Sequence, residues 1–96
     1  MLAVTRLRVP TEGSGTEDAE SLLVGVLDLL AARPGFVTGR VARAVDEPGL
    51  LVIVSEWSGA GAYRRALSGY DVKLSFADLM AYVLDEPSAF EVEAAR

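Results

Sequence analysis

The sequence contains no cysteine and no histidine, and reading through its 96 residues finds no asparagine or glutamine either. The missing thiols and imidazoles exclude disulfides, thiolate nucleophiles, Ser-His triads and imidazole-ligated metals. Carboxylates remain, but none of the fourteen Asp and Glu falls in an EF-hand-like spacing. Asp46-Glu47-Pro48-Gly49 reads as a turn rather than a metal loop, so no metal is expected. Nine basic residues stand scattered in a chain of net charge −5, which argues against a phosphate backbone and hence against nucleic acid as a partner. No apolar run approaches the roughly 18–20 residues that span a bilayer. The opening MLAVTRLRVP also lacks the basic, apolar and small-residue plan of a signal peptide. The expectation is a cytoplasmic protein with no membrane partner.

What is present is hydrophobic: 51% of the residues, against globular usage of about 45–50% even with Gly included. A chain of this length hides only about 60–65% of its unfolded surface. Residues 1–96 therefore read as one domain, with a homodimer as the simplest source of further burial.

The densest signal is Leu50 to Tyr63, LLVIVSEWSGAGAY. Leu50 to Val54 is apolar on both faces, as expected of an interior strand. Ser58-Gly59 breaks the extended run, and Ala60, Tyr63 and Leu67 recur at helical spacing, so Trp57 sits where a buried strand opens into a helix. There it serves either as a plug for the end of the core or as a wall for a substrate.

Along the chain, Met1 to Val9 alternates and ends at Pro10, predicting a first strand. Ser14 or Thr16 caps a helix whose first turn carries Glu17, Asp18 and Glu20. Its stripe of Ala19, Leu22, Leu23, Val26, Leu29 and Leu30 faces a core, and Arg33-Pro34-Gly35 stops it. Phe36 to Val45 predicts a second strand with Val37, Val41 and Val45 on one face, Thr38 and Arg40 on the other, and a bulge at Gly39. Asp46 to Gly49 then connects it as a hairpin to the central strand. A second helical region comes in two pieces, Ala60 to Leu67 and then Val72 to Val83, with Asp71 as the second cap and Pro87 as the stop. Phe90, Val92 and Ala94 alternate with Glu91 and Glu93, predicting an edge strand. The order βαββαβ gives a ferredoxin-like α+β fold, a four-stranded antiparallel sheet with helices on one face. A second copy of the chain is the simplest cover for the other face.

Pro34-Gly35-Phe36, the strand ending in Glu56-Trp57, Ala62-Tyr63 on the following helix, and the SGYDVKLSF segment of residues 68–76 resemble the antibiotic biosynthesis monooxygenase family of dimeric α+β barrels. That family's haem-degrading branch has an Asn at the position of Thr5, a helical Trp near Ala66 and a haem-ligating His near Phe76 or Ala77, and all three are missing. Its polyketide branch has a Trp ending the third strand, a Tyr six residues on and an Asn four residues before the Trp. Trp57 and Tyr63 match, while Ile53 stands at the Asn position.

The resemblance implies a cofactor-independent monooxygenase. Such an enzyme oxidises a phenolic or polycyclic, polyketide-like aromatic with molecular oxygen, using neither flavin nor metal. Trp57 and Tyr63 are then the catalytic candidates, with Thr5, Ile53, Ser55 and Phe76 binding substrate. By strand parity Trp57 shares its face with Ser55, Ile53 and Leu51, and the resemblance turns that face toward a helix-side cavity with Trp57 at its mouth. Arg6, Arg40 or Arg64 is a cation able to lower the Tyr63 phenol pKa. The alternative function is a non-catalytic dimeric barrel that binds a small apolar ligand or serves as an assembly module.

Overall fold

A computed structural model describes residues 1–96. Its elements are β1 (Leu2–Arg8), α1 (Gly15–Ala31), β2 (Phe36–Arg43), β3 (Leu50–Trp57), α2 (Ala60–Leu67), α3 (Tyr70–Ala77), a 3₁₀ turn (Met80–Tyr82) and β4 (Ala89–Phe90). The strands form one four-stranded sheet in the order β2-β3-β1-β4, every pairing antiparallel. This is the expected α+β ferredoxin-like fold, with β3 inside the sheet as its doubly apolar sequence requires.

Parity decides what the sheet buries. Leu51, Ile53 and Ser55 of β3 lie opposite Leu7, Thr5 and Ala3 of β1 on the face under the helices, with Trp57 next along that face, and α1 contributes Ala19, Leu23, Val26 and Leu30 to the same core. The even-numbered face has no helix on it. There Leu2, Val4, Leu50, Val52 and Val54 are half-buried, while Arg6, Arg8 and Arg40 are exposed. No helix is long and apolar enough to cross a membrane.

Several local expectations give way to tertiary constraints. The irregularity in β2 falls between Phe36 and Thr38, not at Gly39. Gly39 instead lies close under α1, where an added Cβ would come 2.6 Å from Leu27 Cδ1. Val37 is displaced at the bulge and Val45 falls in the exposed turn, so the face of Val37, Val41 and Val45 is not continuous. Ser14 occupies the N-cap position of α1, yet its hydroxyl donates to Asp18 Oδ2 at 2.9 Å rather than accepting a backbone N–H. Asp71 is not a cap: Gly69 takes that position, and the Asp71 carboxylate, inside the first turn of α3, pairs with Arg33 at the end of α1. The second helical piece stops at Ala77 instead of running to Val83. The last strand is only Ala89–Phe90, because the register Leu2↔Phe90 leaves residues 91–94 no strand to pair with.

The α1–β2 turn turns on Gly35, at φ 88 and with Ala62 Cβ only 2.5 Å from where its own Cβ would stand. Gly35→Ala combines left-handed strain with a backbone-anchored clash, and should cost about 1–3 kcal/mol. Gly25, in mid-helix with nothing within 4 Å of an added Cβ, should gain up to about 1 kcal/mol as Gly25→Ala. Urea denaturation of the two variants measures both, and equal effects would contradict the packing described.

Candidate functional site

Between the sheet's helix face and the helices lies a cavity of about 650 Å³, within the roughly 300–1,000 Å³ of small-molecule sites. Thirteen of its twenty lining residues are hydrophobic, so its chemistry is that of an apolar slot with a few polar groups. The floor is the strand pair β1–β3, presenting Ala3, Thr5, Ile53 and Ser55; α1 adds Val26 and Leu30, α2 adds Tyr63 and Leu67, and α3 adds Val72 and Phe76. Thr5, Ile53, Ser55, Tyr63 and Phe76, all singled out in the sequence, thus border one space.

Trp57 does not. It is 1% exposed, absent from the cavity lining, and wedged behind it between two rings. Phe36 meets it edge to face at a centroid distance of 5.3 Å, and Tyr63 lies tilted against it at 5.6 Å. Its Nε1–H donates to Ser55 Oγ at 2.8 Å. The expected place at the cavity mouth is therefore corrected. The side chain faces the helices as parity requires, but the start of α2 closes over the end of β3, with Ala62 buried and Tyr63 half-buried there. Tyr63 stands between the indole and the open space.

The Tyr63 phenol is shifted opposite to the expectation of a cation-lowered pKa. Burial pushes it above the ordinary tyrosine value, and the nearby Thr5 hydroxyl pulls it partly back. No arginine contributes. Arg64 is exposed on α2 and Arg40 is exposed on the helix-free face. Arg6 borders the cavity, yet its parity, opposite Val52, carries its exposed side chain to that outer face. Tyr63 is consequently a neutral hydrogen-bond donor across the physiological pH range.

Sequence reasoning missed the segment from Leu84 to Ser88, which supplies Leu84, Asp85, Glu86 and Ser88 to one wall, and also missed Lys73 of α3. The segment has no periodicity to reveal it, and Pro87 is its only local signal. It runs beside β1 on sparse hydrogen bonds, Leu84 N–H to Arg6 O at 2.9 Å and Val4 N–H to Ser88 O at 2.7 Å. No group of three or more carboxylates is gathered at a single place.

The folded state holds the Tyr63 proton more tightly than the unfolded chain does. The stability this confers is complete below the unfolded tyrosine pKa, about 10, and is lost as pH rises through the higher folded value. In an ultraviolet phenolate titration, the transition missing from Tyr63→Phe should be the one lying above ordinary tyrosine. Its appearance below that value would contradict the burial described.

No family model and no curated protein matches the sequence. Solved structures do match, over nearly the whole chain. SnoaB, a cofactor-independent oxygenase from Streptomyces nogalater, is 25% identical over 98% of this chain and 93% of its own, with a TM-score of 0.80. A protein of Deinococcus radiodurans provisionally named an antibiotic biosynthesis monooxygenase is 21% identical over 99% and 94%, with a TM-score of 0.82. A similarly named protein of Chloroflexus aurantiacus is 20% identical over 99% and 95%, with a TM-score of 0.67. The last two bear on the fold alone. The resemblance carried by Pro34-Gly35-Phe36, Glu56-Trp57 and Ala62-Tyr63 thus extends to three dimensions, and the chain has the fold of the antibiotic biosynthesis monooxygenases.

Proposed function

We propose that the protein is a cofactor-independent monooxygenase that binds a planar phenolic or polycyclic aromatic in the helix-side cavity and oxidises it with molecular oxygen. The observation that carries this reading is the cavity itself, apolar over most of its lining yet bordered by the Thr5, Ser55 and Tyr63 hydroxyls. The similarity to SnoaB, named a cofactor-independent oxygenase, supports the reaction class.

The substrate carries the electronic burden. For an anthrone-like molecule, loss of a ring-methylene proton gives an electron-rich anion that passes an electron to oxygen. Recombination forms a carbon-bound peroxide, and loss of the second methylene hydrogen with cleavage of the O–O bond leaves a carbonyl and water. One oxygen atom enters the product and the other leaves as water, so anthrone and oxygen balance against anthraquinone and water with no other reductant. The chain's part is to exclude bulk water, to hold the ring between apolar walls such as Ile53 and Phe76, and to offer fixed donors to developing oxyanions. Tyr63, kept protonated by burial, is the donor placed for that role.

Anthrone turnover, followed by quinone absorbance and by oxygen uptake, tests the proposal. Quinone should form in air and not under nitrogen, and Tyr63→Phe should lower kcat about a hundredfold, the order of losing one oxyanion donor. An unchanged rate in Tyr63→Phe, or a wild-type rate no faster than buffer, would overturn it. One observation favours a second reading: Ile53, buried in the floor, offers no polar group where the polyketide branch has its Asn. A non-catalytic barrel would bind the same aromatics without turnover.

In either reading residues 1–96 act as one domain and pair as a homodimer through the helix-free sheet face, where Val4, Val52 and Val54 lie at the centre. Sedimentation at micromolar concentration should give about twice 10.2 kDa. Charges placed on that face, as in Val52→Glu, should shift the population to monomer.

A further inference from the structure

We infer that Ser55, its hydroxyl turned by the indole of Trp57, is the specificity-determining residue that selects ligands bearing a carbonyl or phenolate oxygen at the cavity floor. This rests on the reading of the cavity as an aromatic-ligand site, and adds to it which functional group of the ligand is read, and by what.

An indole N–H only donates, so in the 2.8 Å bond from Trp57 Nε1 the serine oxygen is the acceptor. That bond occupies one lone pair and orients the hydroxyl, leaving its hydrogen free for another partner. No protein acceptor takes it. The only side-chain hydrogen bond at Ser55 is the one it accepts from Trp57. Its cross-strand neighbours are Ala3 on β1 and Gly39 on β2, which carry no side-chain polar atom. Ser55 is 3% exposed and part of the cavity lining, so it lies in the floor with little surface open to solvent. A buried donor with an unspent hydrogen favours a ligand acceptor over a ligand carbon.

The surroundings sharpen the selection. Ile53 and Ala3 beside it are apolar, and the other floor hydroxyl, that of Thr5, stands across from Ile53 and bonds to Tyr63. Tyr63 packs against the same indole at 5.6 Å, so one buried ring touches both hydroxyl-bearing residues. The serine lies one pleat along the strand face from Ile53. In this chain a hydroxyl held from behind by an indole therefore supplies the polar contact that position 53 does not.

Anthraquinone-2-sulfonate and anthracene-2-sulfonate form a soluble probe pair of equal charge and ring number, differing in the two carbonyl oxygens. Isothermal titration calorimetry of the wild-type protein should show the quinone bound about tenfold more tightly, the order of one neutral hydrogen bond. Ser55→Ala should bring the two affinities together by weakening the quinone alone, while Ser55→Thr, which retains a hydroxyl, should keep the preference. Trp57→Phe should lower it, because the serine loses the donor that orients it, and this variant serves should Ser55→Ala fail to fold. A preference unchanged in Ser55→Ala or in Trp57→Phe, or equal wild-type binding of both probes, overturns the inference and leaves the cavity reading standing. A wild-type protein that binds neither probe overturns both.

Discussion

Trp57 is held by three partners, Phe36 from β2 in a T-shaped pair, the tilted ring of Tyr63 from α2 and the oxygen of Ser55 from its own strand. Three elements, β2, β3 and α2, meet at this one side chain. Its main chain is tied too, the N–H to Met1 O at 2.9 Å, while the next residue, Ser58, donates to Gly35 O at 2.8 Å. Truncating a buried Trp costs about 3–5 kcal/mol, a large share of the 5–15 kcal/mol by which a domain is stable. That burial fixes where β3 ends, at what angle α2 begins and where Tyr63 stands, so the geometry of the cavity's polar corner is inherited from a residue that never enters it.

The cavity is correspondingly asymmetric. Its sheet floor is rigid, with each β1 and β3 residue fixed by a continuous register from Leu2↔Glu56 to Arg8↔Leu50. Its roof joins the seventeen-residue α1 to shorter pieces, α2 and α3 of eight residues each and the 3₁₀ turn of three, of which α3 and the turn expose Leu74 and Met80 to solvent. The hydroxyls of Thr5 and Ser55 belong to the floor, while the helices contribute apolar bulk together with the Tyr63 hydroxyl and Lys73.

Much of the fold is legible in the sequence from period: the stripe of Ala19, Leu22, Leu23, Val26, Leu29 and Leu30 marks α1, and strand parity groups Leu51, Ile53, Ser55 and Trp57 on one face of β3. With Leu50 to Val54 apolar on both faces, period does not say which face is buried; the family resemblance turns the odd-numbered face to the helices, and that is the face the structure buries. The failures are of a different kind. The bulge falls at Val37 rather than at Gly39, which packs under Leu27, and Asp71 pairs with Arg33 rather than capping its helix, both contacts between residues distant in sequence. Trp57 was read onto the correct face but given an outlook on the cavity, because strand parity tells which way a side chain points and not what is stacked in front of it. The wall from Leu84 to Ser88 carries no periodic signal at all.

That wall has a consequence for how such a fold changes its ligand. Between Leu84 and Ser88 the chain leaves the edge of β1 and returns to it, anchored by one backbone bond at each end. Residues added or removed within this span would resize the chamber while leaving the β1–β3 register, the indole and both floor hydroxyls where they are, since a surface loop absorbs length at small entropic cost. Size and recognition are therefore separate variables in this molecule: one is written in a loose strap of five residues, the other in the grain of the sheet. A lineage could explore cavities of many shapes by editing the strap, with Thr5 and Ser55 keeping the same places in the floor each time.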